Sequence, residues 1–463
     1  MKKRNVRLVA APIALALVAA ACGSDGDDSS AEEEAPAEES TEEEAPAEDE
    51  SMDEGTTDFG GVTVTITGPE RTDQDVGSIN DAINAWAEGV GITVEYIGDA
   101  DWEANINTQV EGGNPPNISI FPQPGKLADF ARDGFIVPLN DEADAAVDEY
   151  WIEGFQLNGN VDGVQYGVPT KTDLKSLVWY QPAVFAENGY EVPTTFDEFV
   201  ALVDQMAADG GAKPLCVGIE SGQATGWTFT DWVEEMVLRQ AGGEVYDQWV
   251  AGEVGFSDEP IQTAMQTVLD IWTEDNVFAS GGSIASTNFG DNAIPLVDGD
   301  CFMHRQANFF AGFFPEGTTF ADPDDPAAVD VFYFPDIDGS SPVLTAGTYA
   351  AAFDAEPATH AVLAYMATAE YAETRQQIQS EMLGGSLSGF LSAAQGQDPG
   401  VYQPLEQSFL DILLNAQEAR FDGSDLMPAD VGAGTFWSEG TKLVTGETDL
   451  VTAGEAIDAS YPS

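Results

Sequence analysis

The chain has 463 residues, 82 acids against 15 bases, and a formal charge of −67. That length exceeds what one core usually holds, so two lobes are expected, and 43% hydrophobic with 10% aromatic residues is ample for packed globular structure. The charge argues against nucleic acid or an anionic membrane surface as partner, since both need clustered Lys and Arg, and favours a neutral or cationic solute over an anionic one.

Lys2, Lys3, Arg4 and Arg7 precede an apolar run from Leu8 to Ala21, too short to span a bilayer as a mature helix, so the start reads as an export signal. Ala19, Ala20 and Ala21 before Cys22, with Gly23 and Ser24 after it, resemble a bacterial lipobox. That resemblance implies a lipoprotein signal peptide over 1–22 with Cys22 acylated; the alternative is an ordinary signal cut nearby. Residues 23–58 repeat EEEAPAEES and EEEAPAEDE, with about 17 acids and no base. Such a segment has too little apolar area to fold and reads as a disordered acidic stalk. Acyl chains would anchor it at roughly 0.8 kcal/mol per buried methylene. With Cys22 lipidated, Cys216 and Cys301 remain as an even pair in an oxidising compartment, where a bridge is expected; two buried free thiols are the alternative.

The folded body is expected from about Phe59. Val62, Val64 and Ile66 alternate as a strand, Ile79, Ile83 and Trp86 follow helical spacing, and Ile92, Val94 and Tyr96 alternate again. Ile118–Phe121 gives a further short strand, so strand, helix, strand predicts a parallel sheet with right-handed crossovers. Phe199, Leu202, Val203 and Met206 mark one later helix face, entered through a capped Thr195-Phe-Asp-Glu198; Met265, Val268, Leu269 and Trp272 mark another. No apolar stretch after the signal is long enough to cross a membrane.

Catalytic signatures are missing: His304 and His360 are the two histidines, with no H-E-x-x-H, Walker loop, nucleophile elbow or calcium loop. Among 82 acids some carboxylates always lie close together, so a glycosidase dyad cannot be inferred. The aromatics keep more telling company. Gly222-Gln-Ala-Thr-Gly-Trp227 runs into Thr-Phe-Thr-Asp231-Trp232, placing two tryptophans in a Gly/Thr loop before a helix, and Gly432-Ala-Gly-Thr-Phe436-Trp437 repeats the theme. A sugar ring offers an apolar C–H face for an aromatic plate and a rim of hydroxyls for carboxylates, amides and Arg. Local packing against a neighbouring lobe is the plainer alternative.

Val62–Gly68 with its amphipathic helix, Val110-Glu-Gly-Gly-Asn-Pro-Pro-Asn-Ile-Ser-Ile120, Phe121–Gly125, Gly167-Val-Pro169, Leu177–Tyr180 and Val192–Glu198 resemble, in order, the type-1 family of extracellular solute-binding proteins. Asn117 stands where that family usually carries Asp. Gly218–Gly222, Ala224–Trp227, Met303–Ala307, Phe421–Pro428 and Gly432–Trp437 are similar to its alpha-glucoside-binding branch. The resemblance implies an α/β, two-lobed periplasmic-binding-protein-like fold of type II, with a ligand cleft between lobes. The N-terminal lobe would take 59–170 and about 343–392, the C-terminal lobe 171–342 and about 393–463.

By motif position it implies ligand contacts from Glu70, Arg71 and Gln123 in the first lobe, and from Lys171 and Asp173 at the hinge. Gly347 lies in the stretch that re-enters the first lobe, and Glu220, Trp227, Arg305, Gln306, Phe436 and Trp437 in the second. Glu70 and Arg71 depart from the Trp-containing loop of the alpha-glucoside branch. The implied function is the substrate-binding component of an ABC importer, a non-enzymatic, cofactor-free and monomeric protein. It captures a carbohydrate, an alpha-glucoside or other oligosaccharide, and passes it to the membrane permease while tethered outside the cytoplasm. The alternatives are binding of another small polar solute, such as a polyol or amino-sugar, and a surface-anchored carbohydrate-active enzyme.

Overall fold

A computed structural model describes residues 57–462; the expected signal peptide, Cys22 and almost all of the expected stalk lie outside them. Two sheets organise the body. The first runs Ala419–Phe421, Val343–Ala352, Ile118–Phe121, Val62–Gly68, Ile92–Gly98, with Val168–Leu174 also paired to Val343–Ala352. The second runs Asp330–Tyr333, Leu177–Tyr180, Cys301–Arg305, Lys213–Cys216, Val277–Phe278. Val62–Gly68 is parallel to both of its neighbours, while Val343–Ala352 meets Ile118–Phe121 antiparallel, so each sheet is mixed.

The local elements follow their sequence signals. In the first sheet Ile92, Val94 and Tyr96 turn inward while the residues between them face out, the period of two of a half-buried strand. Thr72 caps the helix Asp73–Ala87 by accepting from the Asp75 N–H at 3.1 Å, and Ile79 and Ile83 are fully buried beneath it. Trp86, on the same face, stacks on Tyr365 with ring centroids 4.7 Å apart. The helix Phe196–Asp209 opens with the expected capping box between Thr195 and Glu198 and buries Phe199, Leu202, Val203 and Met206. Asn117 accepts from the Thr65 N–H and hydroxyl through Oδ1 and donates to Asp354 through Nδ2 at 2.8 Å. An aspartate there would face Asp354 as a second carboxylate.

The chain passes between the sheets at three places. Val168–Leu174 belongs to the first and Leu177–Tyr180 to the second; Asp330–Tyr333 returns to Val343–Ala352; and Ala419–Phe421, in the first sheet, leads to helices packed on the second. This two-lobed α/β arrangement agrees with the expected fold class. The strand Ala419–Phe421 pairs in parallel with Val343–Thr345, so part of the range expected for the second lobe lies in the first sheet.

Cys216 and Cys301 form a disulfide with Cα atoms 5.5 Å apart, in the second sheet. Beside it, one ring nitrogen of His304, Nδ1, lies 2.9 Å from the Cys216 carbonyl, and the imidazole is buried. Burial pushes the imidazole down to about 4. Among the described residues no helix is long and apolar enough to cross a membrane.

Closing a loop of 85 residues, the disulfide is expected to contribute about 4–5 kcal/mol; chemical denaturation of oxidised against reduced protein measures it, and equal midpoints would contradict this. His304 binds its proton less readily folded than unfolded, so its contribution is present above the ordinary histidine value and is lost as the pH falls from there towards 4. An NMR titration should show His304 neutral at pH 5.5, where a solvent-exposed imidazole is mostly charged.

Candidate functional site

One cavity of about 240 Å³ lies where the crossing segments, the first-sheet loops and the second-lobe helices meet. Its second-lobe wall is aromatic. Gly226 has φ +114°, a conformation that strains any residue with a side chain, and a Cβ there would come within 2.4 Å of the Trp437 carbonyl. This close approach brings the backbone at Trp437 against the start of the helix that carries Trp227, and both tryptophans are on the lining. The ring of Trp227 meets Phe289 edge-on at 5.0 Å and lies 6.1 Å from Phe309, with Phe313 completing the wall. Trp437 begins the helix Trp437–Thr445 directly after a π-helical stretch, Asp430–Phe436, the kind of irregular turn that often re-aims a side chain at a functional site.

The opposite wall is polar. The Tyr96 hydroxyl, at 2.9 Å from the Glu70 carbonyl and 3.2 Å from its Oε2, holds Glu70 in place, and among the described residues Oε1 has no partner. Gln123 Oε1 and Trp437 Nε1 are likewise buried and unpaired. Buried polar atoms are normally satisfied, and all three belong to residues that line the cavity, which makes them candidates for a ligand's hydrogen bonds. At the hinge Lys171 Nζ lies 3.2 Å from Asp173 and 5.1 Å above the Phe309 ring. A Cβ on Gly347 would fall 2.3 Å from the Lys171 carbonyl, so only glycine permits that strand to approach.

The floor is a buried charge network. Lys175 Nζ donates to Asp231 at 2.7 Å and to Asp422, and lies 5.4 Å from the Trp227 ring centroid. Burial alone would drive its ammonium to neutrality, but the flanking Asp231 and Asp422 reverse this and hold it charged. Burial likewise resists ionisation of Asp422, and Lys175 outweighs it, keeping that carboxyl below the usual range. Burial lifts Asp231 to about 7 despite Lys175. Asp231, Glu234 and Asp422 each bring an oxygen within 4.8 Å of the others, but the Lys175 ammonium already occupies the space beside Asp231 and Asp422.

Of the expected ligand residues, Glu70, Arg71, Gln123, Lys171, Asp173, Gly347, Trp227 and Trp437 line this cavity. Four others do not. Arg305 is sequestered by Glu235 at 2.6 Å and Asp231 at 3.6 Å, because a buried guanidinium needs carboxylate partners. Gln306 is 1% exposed and turns its Oε1 back to the Ala307 N–H. Phe436 is fully buried against Trp249 and Phe256. Glu220 accepts from Asn288 at 2.7 Å and from the Gly222 N–H, contacts that hold its carboxyl down, with Arg71 adding a smaller share. Trp232, expected in a loop, sits inside the helix Trp227–Gln240 and packs on Trp272.

Sequence reasoning missed Phe309, Phe313, Glu103, Lys175, Asp422 and Asp425, all on the lining. The run Asn308-Phe-Phe-Ala-Gly-Phe-Phe314, following the Met303–Ala307 motif, was the available signal for the two phenylalanines.

Comparison with known proteins places this geometry. The chain is 38% identical over 396 residues to the osmoprotective compounds-binding protein GgtB of Synechocystis sp., covering 83% of this chain and 89% of that one. It is 36% identical over 414 residues to the alpha-glucosides-binding periplasmic protein AglE of Rhizobium meliloti, covering 86% of each. A structure from work on xylan utilization by Caldanaerobius polysaccharolyticus superposes with a TM-score of 0.70 at 18% identity, over 86% of this chain and 99% of that one, a likeness of fold alone. Residues 72–373 match the family described as bacterial extracellular solute-binding protein, and the chain belongs to that family.

Proposed function

We propose that this protein is the substrate-binding component of an ABC importer, capturing a carbohydrate between its lobes and delivering it unchanged to a membrane permease. The observation that carries the reading is the pairing of an aromatic wall, Trp227 with Phe309 and Phe313, with unpaired polar atoms on Glu70, Gln123 and Trp437. A pyranose matches both: its C–H face covers the rings, its hydroxyls donate to the two acceptors, and one oxygen accepts from the Trp437 indole. The name of the Rhizobium meliloti relative supports an alpha-glucoside. A volume of about 240 Å³ favours one or two rings over a longer chain.

The lobes are taken as 59–170 with about 343–392, and 171–342 with about 393–463, except that 171–174 and Ala419–Phe421 belong to the first sheet, with the hinge at the three crossings. Outside the described residues, lipidation of Cys22 would tether the body to the membrane as a monomer, with 23–58 as the stalk. A second reading, a small polyol-like solute, draws support from the relative named for osmoprotective compounds.

A thermal-shift screen against maltose, trehalose, sucrose, longer maltodextrins and simple polyols separates these readings. A solute at 100 times its Kd should add about 2.7 kcal/mol, a readily visible rise in Tm. Trp227→Ala should weaken the responding sugar about tenfold or more, roughly 1.4 kcal/mol of lost stacking. Trp437→Ala should do the same. Unchanged affinity in both variants, or consumption of the sugar, would contradict the reading.

A further inference from the structure

The buried network behind the cavity holds five carboxyl groups, Asp231, Glu234, Glu235, Asp422 and Asp425, against three cations, Lys175, Arg239 and Arg305. Glu235 takes both arginines, at 2.8 Å from Arg239 and 2.6 Å from Arg305, plus the Ser176 hydroxyl. Lys175 is shared by Asp231 and Asp422. Among the described residues Glu234 and Asp425 have no ion-pair partner. A carboxylate in that position cannot stay charged in a dry interior, and it keeps its proton instead.

The two differ in where they point. Glu234 is fully buried and uses Oε1 to accept from the Ser424 N–H at 3.1 Å. Asp425 is 9% exposed and lies on the cavity lining, and no donor among the described residues reaches its carboxyl. Its surroundings reinforce the neutral form from several elements. Asp422 faces it from its own segment, Asp231 from the helix Trp227–Gln240 and Glu103 from the helix Trp102–Glu111, while Glu234 on the former helix, itself protonated, brings no cation to oppose them. Lys175 is the one opposing charge that bears strongly on it, and it is already engaged. Of the other neighbouring elements, Lys126 donates to the Glu103 carbonyl, Asp129 accepts from the Ala429 N–H, and Asp430 follows along the chain. Arg420 is tied to Asp247, and Tyr246 donates to the Phe421 carbonyl. Burial first, and then Asp422, raises the Asp425 carboxyl well above its ordinary value.

We infer that Asp425 is a specificity-determining residue that meets the solute as a neutral acid, donating its O–H to a solute oxygen, so that capture weakens as the pH rises. The inference rests on the reading of the cleft as a carbohydrate site and adds a second donor beside the Trp437 indole. A neutral carboxyl can give a hydrogen bond that a carboxylate cannot. Affinity is then full below the Asp425 pKa and falls about tenfold per pH unit above it, because the solute binds only the protonated form.

The test is titration calorimetry with maltose and trehalose from pH 5 to pH 9, on the wild type, Asp425→Asn and Asp425→Ala. The wild type should lose affinity with a slope approaching tenfold per unit at the alkaline end, with proton uptake visible in buffers of different ionisation enthalpy. Asp425→Asn, a permanent N–H donor, should flatten the profile, whereas Asp425→Ala should weaken capture about tenfold at pH 5. A sugar that binds with equal affinity across the range overturns the role of Asp425 while leaving the carbohydrate reading intact. A slope that survives in Asp425→Asn assigns the proton elsewhere, to Asp231 for example, and also overturns it. Where neither sugar binds, the same titrations are run with sucrose and longer maltodextrins, and if none of these binds at any pH the carbohydrate reading falls and this inference with it.

Discussion

The ammonium of Lys175, shared between Asp231 and Asp422, is the interaction on which the arrangement turns. It sits at the first crossing, two residues before the second sheet begins, and its own N–H donates to the Leu344 carbonyl at the second crossing. Asp422 follows the strand that forms the third crossing, and Asp231 lies on the helix that carries Trp227. One buried charge therefore ties all three connections to the aromatic wall. Buried ion pairs of this kind are costly to desolvate and costlier to break, since removing a partner strands a charge. Such a network is a poor source of net stability and a good means of fixing where segments cross.

The cavity inherits its chemistry from that junction. Its aromatic wall and acidic floor come from second-lobe helices and the last crossing, whereas Glu70 and Gln123 arrive on first-sheet loops. A ligand touching both sides gains most when the lobes are close together, which is how hinged proteins turn binding energy into closure. The surplus of carboxyls over cations gives the floor the character of a hydrogen-bonding surface rather than a negatively charged one. It reconciles a chain of net charge −67 with a pocket suited to a neutral solute.

The fold was largely legible in the sequence. Alternation at Ile92, Val94 and Tyr96 and the capping box at Thr195 are local signals, and tertiary packing agreed with them. The Cys216–Cys301 pair followed from parity and compartment. The site was legible where a local peculiarity marked it: Trp227 and Trp437 stand beside glycines that backbone crowding requires. Trp232 and Phe436 share those stretches yet face inward, because each residue turns a helix by about 100°, so a side chain one or five positions away points to another face. Lys175, Asp422 and Asp425 carried no such mark. In a chain with 82 acids a buried carboxylate looks like any solvated one until the segments that enclose it are brought together. Arg305 differs for the converse reason: its motif placed it near the cleft, but Glu235 and Asp231 engage its buried guanidinium.

The position of a bound sugar is the most direct test of the site between the lobes. A crystal structure of the protein grown with maltose or trehalose should show the intact sugar between the lobes. One ring face should lie over Trp227, with hydroxyls within hydrogen-bonding distance of Glu70 and Gln123. A sugar held on an outer surface with the cavity empty, or one found cleaved in the cleft, would contradict it.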